Sequence, residues 1–243
     1  MDTLKTQIIQ IAALTDRGQR HNKLVSNAYT AEENHMKTLV NELVEYPCSI
    51  DEAALEGEWE LVYASCELFR SSPFFLAIEK ALKNEARSSL FFKLHLLQVG
   101  SWGASTVGRV AQRLDFKSSQ MESEFDTILF GLTVIPVLGW FKLLPTFGGT
   151  VVTVAKDLKL EGDAISMELL KTQVVETEGV APGLLGKLLM NRWAPVNTVW
   201  KILPWNWGTP PTCSMTIKYV DANMRVMEDM YGQIFVYTRP MLM

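Results

Sequence analysis

Apolar and polar residues follow two different periods along the chain. From Leu4 to Leu14 the apolar residues recur at steps of three and four, which predicts an amphipathic helix. A second stretch, Thr30 to Glu45, has the same period and ends before Pro47, a residue that helices seldom pass. We therefore predict a helical hairpin over residues 1–50, followed by a separate domain over residues 51–243.

After Gly57 the period shortens to two, as in a β-strand with one buried face. The sequence LEGEWELVYAS shows this, because Trp59, Leu61 and Tyr63 alternate with other residues. The predicted strands are Glu58–Ser65, Phe91–Val99, Thr106–Asp115, Gln120–Phe130, Gly149–Leu158, Ala164–Val175, Cys213–Val220, Met224–Met227 and Gln233–Thr238. Their number and spacing predict a mainly β fold, in which one antiparallel sheet closes into a barrel and so has no free edge.

The strand pattern is interrupted in two places. Ser72 to Leu82, which begins with Ser-Pro, is predicted to be a short helix, and Pro182 to Trp207 is predicted to be helix or loop. The most apolar stretch is Ile128 to Leu144, which is just short of a bilayer crossing. A membrane span and a pair of buried strands both fit this length, and its glycines and proline favour bent strands.

Charge and cysteine content argue against several classes of function. A formal net charge of -4 argues against a general binder of nucleic acid, which needs an excess of Lys and Arg. The three cysteines are widely spaced and form no C-x-x-C pair, so we predict neither a zinc site nor a disulfide framework. The opening MDTLKTQIIQIAAL is typical of a folded helix. We expect no transit peptide in this chain, either because it was removed or because none existed.

Sequence motifs of catalysis are absent. The chain has no H-E-x-x-H, no G-x-S-x-G and no glycine-rich phosphate or dinucleotide loop. His95 fits either a haem or metal ligand inside the barrel or a hydrogen-bonded or surface histidine, and its isolation favours the latter. Cys66 fits either a reactive thiol or an inert one, and the lack of a nearby basic cluster favours the inert thiol. We predict a protein that is not an enzyme and has no cofactor and no metal.

Four of the seven tryptophans fall within Pro182–Trp207, which we call the tryptophan-rich segment. Tryptophan favours the bilayer interface, and basic side chains meet anionic headgroups. The segment therefore suits a lid that contacts a membrane, although packing across the barrel mouth explains it equally well. The two interpretations are compatible if the lid faces the membrane. The predicted contact residues are Trp193, Trp200, Trp205, Trp207, Lys187, Arg192 and Lys201.

Three motifs resemble the plastid lipid-associated protein family, also called fibrillins or plastoglobulins. LKTQIIQIAALTDRGQR is similar to the opening helix of that family with its R-G turn. LEGEWELVYAS is similar to its first strand, and IKYVDANMRVMEDMYGQIFVYTR is similar to its closing hairpin. Together the motifs bracket Leu4 to Arg239, while Phe74 to Pro211 matches only in general pattern.

The resemblance implies a lipocalin-like barrel. Gly57, Glu58 and Trp59 look like the G-x-W opening of lipocalins, which implies that Trp59 plugs the narrow end of the barrel. An arginine from a late strand, Arg239 in preference to Arg225, is then expected to stack on the indole. Gly57, Trp59 and Arg239 are thus expected to be scaffold residues rather than catalysts.

The resemblance also implies a function. It points to a non-catalytic plastid protein that binds or organises small apolar lipids, such as prenylquinones, carotenoids or acyl chains. The expected location is peripheral, at thylakoid or plastoglobule surfaces. From strand patterning, the pocket candidates are Leu94, Leu96, Phe125, Phe130, Trp140, Val152 and Val154. The alternative is a coat or scaffold of lipid globules that recruits a lipid-biosynthesis enzyme and holds no internal ligand.

Overall fold

The structure is a computed structural model that describes residues 1–19, 29–100, 107–130, 147–175, 190–202 and 208–240. For residues 96–100, 127–130 and 147–148 it describes the backbone alone. The helices are α1 (Asp2–Leu14), α2 (Thr30–Val44), α3 (Glu52–Leu55), a 3₁₀ helix (Leu68–Ser71), α4 (Pro73–Leu82), α5 (Glu85–Gly100) and α6 (Val196–Ile202). The strands are β1 (Gly57–Ala64), β2 (Val107–Asp115), β3 (Gln120–Phe130), β4 (Phe147–Glu161), β5 (Ala164–Val175), β6 (Thr212–Val220), β7 (Met224–Glu228) and β8 (Ile234–Thr238).

The eight strands form one antiparallel sheet that closes in a ring, in the order β1 to β8. Each strand pairs with the next along the chain, and β8 returns to pair with β1. The mainly β fold with a closing antiparallel sheet, predicted from the alternating pattern, is therefore found. Because β1 pairs with β8, neither of these strands is left as an exposed edge of the sheet. We call this closed sheet the barrel.

Residues directly opposite each other on antiparallel strands share a face of the sheet. Trp59 lies opposite Gln112, and Leu61 lies opposite Tyr237, which places all four side chains inside the barrel. The apolar inward side chains form one buried cluster, to which Phe69 of the 3₁₀ helix and the α4 side chains Phe75 and Leu76 also belong. The 3₁₀ helix and α4 therefore pack on the inward-facing side chains of the barrel.

Helices α1 and α2 pack on the outer face of the barrel. Their buried residues share a second cluster with Tyr63, Tyr219, Val226 and Val236 of four strands. The strand pattern placed Tyr63 on the same face as Trp59, and this is wrong. The β1–β8 register shifts between Leu61 and Tyr63, and such a bulge turns the following side chain to the opposite face.

The turn after α1 fastens the helical hairpin to the barrel. The backbone N–H of Ala64 donates to the carbonyl oxygen of Arg17 at 3.1 Å. The Arg17 guanidinium donates to the carbonyl oxygens of Val107 and Gly108, at 2.6 and 2.5 Å. Gly18 has a φ of +85°, and an added Cβ would lie 2.1 Å from the Ala64 carbonyl oxygen. Only glycine fits this approach without a backbone shift.

The strand predicted over Phe91–Val99 is wrong, because these residues belong to α5. Near the start of that helix, the Asn84 side chain accepts a hydrogen bond from the backbone N–H of Arg87 at 3.1 Å. Phe91 and His95 lie one helical turn apart, and their rings stack with centroids 6.4 Å apart. The almost continuous apolar run fits a half-buried helix as well as a buried strand, so the period alone did not decide between them.

The most apolar stretch of the sequence falls mainly outside the described residues. Ile128, Leu129 and Phe130 end β3, and residues 131–146 are not described. Among the described helices, none combines the length and the hydropathy that a membrane crossing requires.

Candidate functional site

A row of polar side chains crosses the inside of the barrel at one register level. Gln112 lies opposite Trp59 and Ser123, and Thr153 lies opposite Ser123 and Thr172. Gln112, Ser123 and Thr153 are buried, and the Thr153 and Thr172 hydroxyls lie 3.1 Å apart. We call Gln112, Ser123, Thr153 and Thr172 the interior polar row.

Apolar inward residues flank the interior polar row on both sides. On one side Leu114, Met121 and Ala155 are paired in register across three strands. On the other side the paired residues are Val110, Phe125 and Val151. All six belong to the buried interior cluster. The inner surface therefore presents one polar stripe between two apolar stripes.

Arg225 of β7 points into the same interior and is 0% exposed. Its Nη2 donates to the Gln112 Oε1 at 2.7 Å, and the Gln112 Nε2 donates to the Ser71 carbonyl oxygen at 3.0 Å. Burial lowers the pKa of Arg225 to about 10, which still leaves the guanidinium charged at neutral pH. A positive charge is thus held inside the barrel.

The Trp59 indole lies between two arginines and a helix. The guanidinium carbons of Arg239 and Arg225 lie 3.7 and 5.0 Å from its ring centroid. The indole N–H donates to the Leu55 carbonyl oxygen of α3 at 2.8 Å. Arg239 is the closer of the two cations, and Arg225 lies 4.2 Å from the Tyr237 ring. Attraction between the cations and these rings stabilises the contacts around Trp59.

Gly57 allows Arg239 to approach the start of β1. Gly57 has a φ of +99°, and a Cβ there would lie 3.0 Å from the Arg239 Nη1. The same Nη1 donates to the Glu56 carbonyl oxygen at 2.7 Å. The side chains of Trp59 and Arg239, expected to form the scaffold with Gly57, are thus in contact.

Two nitrogens of Arg225 have no hydrogen-bond partner among the described residues. These are Nε and Nη1, and the hydroxyl of Ser123 in the interior polar row is also unpartnered there. No ion pair within the described part of the chain involves Arg225. Buried donors and charges normally have partners, so this corner of the barrel has unused hydrogen-bonding capacity.

The pocket candidates on the strands divide between the two faces. Phe125 is buried in the interior cluster. Val152 and Val154, expected to line the pocket, lie on the outer face, because their register partners are Glu124 and Glu122. The inward residues of β4 are their neighbours, since a change of one position reverses the face.

The structure does not place the side chains of the remaining pocket candidates on the inner face of the barrel. Leu94 is half-buried on α5 instead of lying on a barrel strand. Leu96 and Phe130 belong to α5 and β3, within the stretches where only the backbone is described. Trp140 lies outside the described residues.

The tryptophan-rich segment is described over residues 190–202. Trp200 was expected to contact a membrane, but it is buried in the interior cluster as part of α6. Trp193 is 40% exposed, and the Lys171 Nζ lies 4.0 Å from its ring centroid. Lys187, Trp205 and Trp207 lie outside the described residues.

The basic residues of this segment differ in their surroundings. Arg192 is exposed, while the Lys201 Nζ lies 3.7 Å from a Glu168 carboxylate oxygen. The same carboxylate oxygen accepts a 2.6 Å hydrogen bond from Asn197, which ties α6 to β5. On α6, Val199 and Ile202 are 54% and 62% exposed. Trp193, which precedes α6, and these two apolar side chains are all exposed, and we call the three together the α6 patch.

A buried cluster of charged side chains consists of Arg70, Glu79 and Asp229. The Arg70 Nη2 lies 2.5 Å from the Glu79 Oε1 and 3.7 Å from the Asp229 Oδ2. Burial raises the pKa of Glu79 to about 7, the Asp229 charge adds to this effect, and Arg70 opposes it. Burial also raises the pKa of Asp229. The cluster joins the 3₁₀ helix and α4 to the turn between β7 and β8.

Burial shifts the pKa values of His95 and Cys66 in opposite directions. His95 lies on α5 with ring centroids of Phe69 and Phe75 at 5.0 and 5.4 Å, and burial lowers its pKa to about 4. Burial raises the pKa of Cys66 well above its ordinary value, although Arg70 opposes the shift. Where the chain is described, no three His, Cys, Asp or Glu side chains group closely enough to hold a metal ion.

Sequence reasoning overlooked the interior polar row and the role of Arg225 beside it. The signal was present in β2, where Gln112 occupies the inward position between Val110 and Leu114. It was also present in β3, where Ser123 falls between Met121 and Phe125. A polar residue at an inward position of an alternating strand needs a buried partner.

Comparison of the chain with protein-family models, with curated proteins and with solved structures finds no match.

Proposed function

We propose that this chain is a non-catalytic protein that binds small apolar lipids inside its barrel. The observation that carries the proposal is the pair of buried apolar stripes, which line the inner surface on both sides of the interior polar row. A lipid that contacts these stripes would gain ~25 cal/mol for each Å² of apolar surface removed from water. A barrel of this strand number suits one small ligand.

The plastid part of the proposal rests on the three sequence motifs. We propose a lipocalin-like protein at thylakoid or plastoglobule surfaces, with prenylquinones, carotenoids or acyl chains as the ligand classes. The contact of Trp59 with Arg239 supports the lipocalin-like interpretation of the first strand. The α6 patch supports peripheral contact with a lipid surface, because exposed tryptophan and aliphatic side chains favour the interface.

The surroundings of the candidate nucleophiles support a role without catalysis. The thiols of Cys66 and Cys213 are buried, and burial raises the pKa of Cys213 to about 12. A thiol must ionise to act as a nucleophile, and these surroundings oppose ionisation.

A coat or scaffold is the second candidate function. The observation in its favour is the position of Phe69 and Phe75, which belong to the 3₁₀ helix and α4 and yet pack on the inward residues of the barrel. In that function the interior is filled by the chain itself. The α6 patch would then hold the protein on a lipid globule, where it recruits a lipid-biosynthesis enzyme.

Two neighbouring valines of β4 provide the test. Val151 faces inward and Val152 faces outward, so a larger side chain at each site changes opposite faces of the same strand. We expect Val151→Phe to lose binding of decylplastoquinone in a fluorescence titration, while Val152→Phe binds it as the unmodified chain does. Circular dichroism verifies that both variants fold. A folded Val151→Phe variant with unchanged binding contradicts an internal site and favours the coat.

A further inference from the structure

Arg225 carries a positive charge into the barrel, and no carboxylate of the described residues pairs with it. The side chain is 0% exposed, and no ion pair involving it occurs within the described residues. An unpaired charge in the interior costs several kcal/mol, on the order of the whole stability of a small domain.

The described residues satisfy only part of the hydrogen-bonding capacity of this guanidinium. Gln112 accepts from Nη2, and the rings of Tyr237 and Trp59 lie on its faces. Ring faces do not replace the hydrogen bonds that Nε and Nη1 lack within the described part of the chain. Ser123, whose register partner is Gln112, adds a further buried hydroxyl without a partner there.

We propose that Arg225 and Ser123 bind the carboxylate of a long-chain carboxylic acid whose alkyl chain lies along the apolar stripes. This inference rests on the proposed lipid-binding function and names the headgroup that the same interior takes. An ionised carboxylate only accepts hydrogen bonds, and the unpartnered guanidinium nitrogens only donate them. The single negative charge of the carboxylate neutralises the single positive charge of Arg225.

Headgroups other than a carboxylate match the charge and the hydrogen-bond donors of Arg225 and Ser123 less well. A quinone or an alcohol accepts hydrogen bonds but leaves the charge of Arg225 uncompensated. A phosphate monoester carries about two negative charges at neutral pH, and so leaves one of them uncompensated beside a single guanidinium. Arg239 has less hydrogen-bonding capacity to offer a second charge, because its Nη1 and Nη2 already donate to the carbonyl oxygens of Glu56 and Ala54.

The test compares dansyl-undecanoate with its methyl ester, which has the same chain and no charge. Fluorescence titration of the full chain, freed of bound lipid by organic extraction and refolded, gives both affinities. We expect the carboxylate to bind about ten- to a hundredfold more tightly than the ester, the range of a charged hydrogen bond. The comparison needs no variant, so it does not depend on how a substitution affects folding.

Two variants then locate the headgroup. Arg225→Met is expected to bind both ligands equally, because its side chain is apolar and of similar length. Arg109→Met is the control, since Arg109 lies on the outer face of β2, paired with Glu58. It is expected to keep the preference for the carboxylate. At the same ligand concentration, the carboxylate should also raise the melting temperature of the Arg109→Met protein more than that of the Arg225→Met protein.

The outcomes separate this inference from the function on which it rests. Equal binding of the carboxylate and the ester by the unmodified chain overturns the headgroup site and leaves lipid binding standing. A carboxylate preference that survives in Arg225→Met also overturns it. Failure of both ligands to bind the folded protein overturns the headgroup site and the proposed lipid-binding function together.

Discussion

Arg225 reaches across the barrel interior to Gln112, with 2.7 Å between its Nη2 and the amide oxygen of Gln112. The two residues lie on β7 and β2, and β8 and β1 separate these strands in the ring. The hydrogen bond therefore joins strands that the sheet itself does not pair. It also holds the guanidinium beside Gln112 of the interior polar row.

The first prediction concerns this bond. Gln112→Leu removes the one acceptor that the guanidinium has among the described residues, so we expect a loss of about 3 kcal/mol of unfolding free energy in urea. Arg225→Met removes the charge as well. The double variant is expected to be more stable than Gln112→Leu alone, because no charge is left unpaired.

The control for the first prediction is additivity. If the two substitutions act independently, the loss in the double variant equals the sum of the single losses. That result would show that Arg225 and Gln112 are not coupled in the folded protein.

The second prediction concerns the turn that holds the hairpin on the barrel. Gly18→Ala places a Cβ against the Ala64 carbonyl oxygen at a positive φ, and we expect a loss of about 3 kcal/mol in unfolding free energy. Gly162→Ala is the matched control, with a φ of +65° and nothing within 4 Å of the added Cβ. It should cost about 1 kcal/mol. Equal losses in the two variants would mean that the contact with Ala64 is unimportant.

The third prediction concerns pH. The pKa of Glu79 is raised from 4.5 to about 7, so the folded state binds this proton more tightly than the unfolded state does. Its stabilisation is complete below about pH 4.5 and is lost as the pH rises through about 7. The glutamine side chain of the Glu79→Gln variant is neutral at every pH, so this variant does not lose stability in the same way as the pH rises. Relative to the unmodified chain, the variant is expected to gain up to about 3 kcal/mol over that range.

Urea unfolding at a series of pH values measures the effect. His95 acts in the opposite direction, because its folded pKa is lowered to about 4, and its contribution rises with pH. This histidine is present in both proteins, so its contribution cancels, and the difference between them reports on Glu79 together with its effect on Asp229. A difference that does not change with pH would show that Glu79 ionises normally.

The fourth prediction concerns the α6 patch. Glutamate in place of Val199 or Ile202 puts a negative charge on an exposed apolar side chain, so we expect weaker flotation with vesicles of phosphatidylcholine and phosphatidylglycerol. Thr198→Glu is the control, because Thr198 is exposed and polar on the same helix. An equal loss in all three variants would indicate a general effect of charge. Unchanged flotation in all three would remove α6 from the membrane contact.

The alternating pattern predicted most of the sheet because each strand buries one face. β1, β3 and β5 begin and end within two residues of the predicted bounds. The failure at α5 has a physical cause, since a nearly continuous apolar run satisfies the period of a helix and of a strand. Packing of Phe92 and His95 against Phe69 then selects the helix.

The interior site was less accessible to sequence reasoning. Alternation names the residues of a face but not which face is inside, and Val152 and Val154 were assigned to the wrong one. The burial of Trp200 depends on how α6 packs, which no local pattern contains. The bond from Arg225 to Gln112 joins residues far apart in the sequence, so only the closed sheet brings them together.

The central claim is that a lipid occupies the barrel. Native mass spectrometry of the protein purified from its own membranes, followed by organic extraction, tests it most directly. The account predicts one prenyl, carotenoid or acyl species bound per chain. If Arg225 binds the headgroup, that species is a long-chain carboxylic acid. A stably folded protein that is free of lipid in every charge state would contradict it.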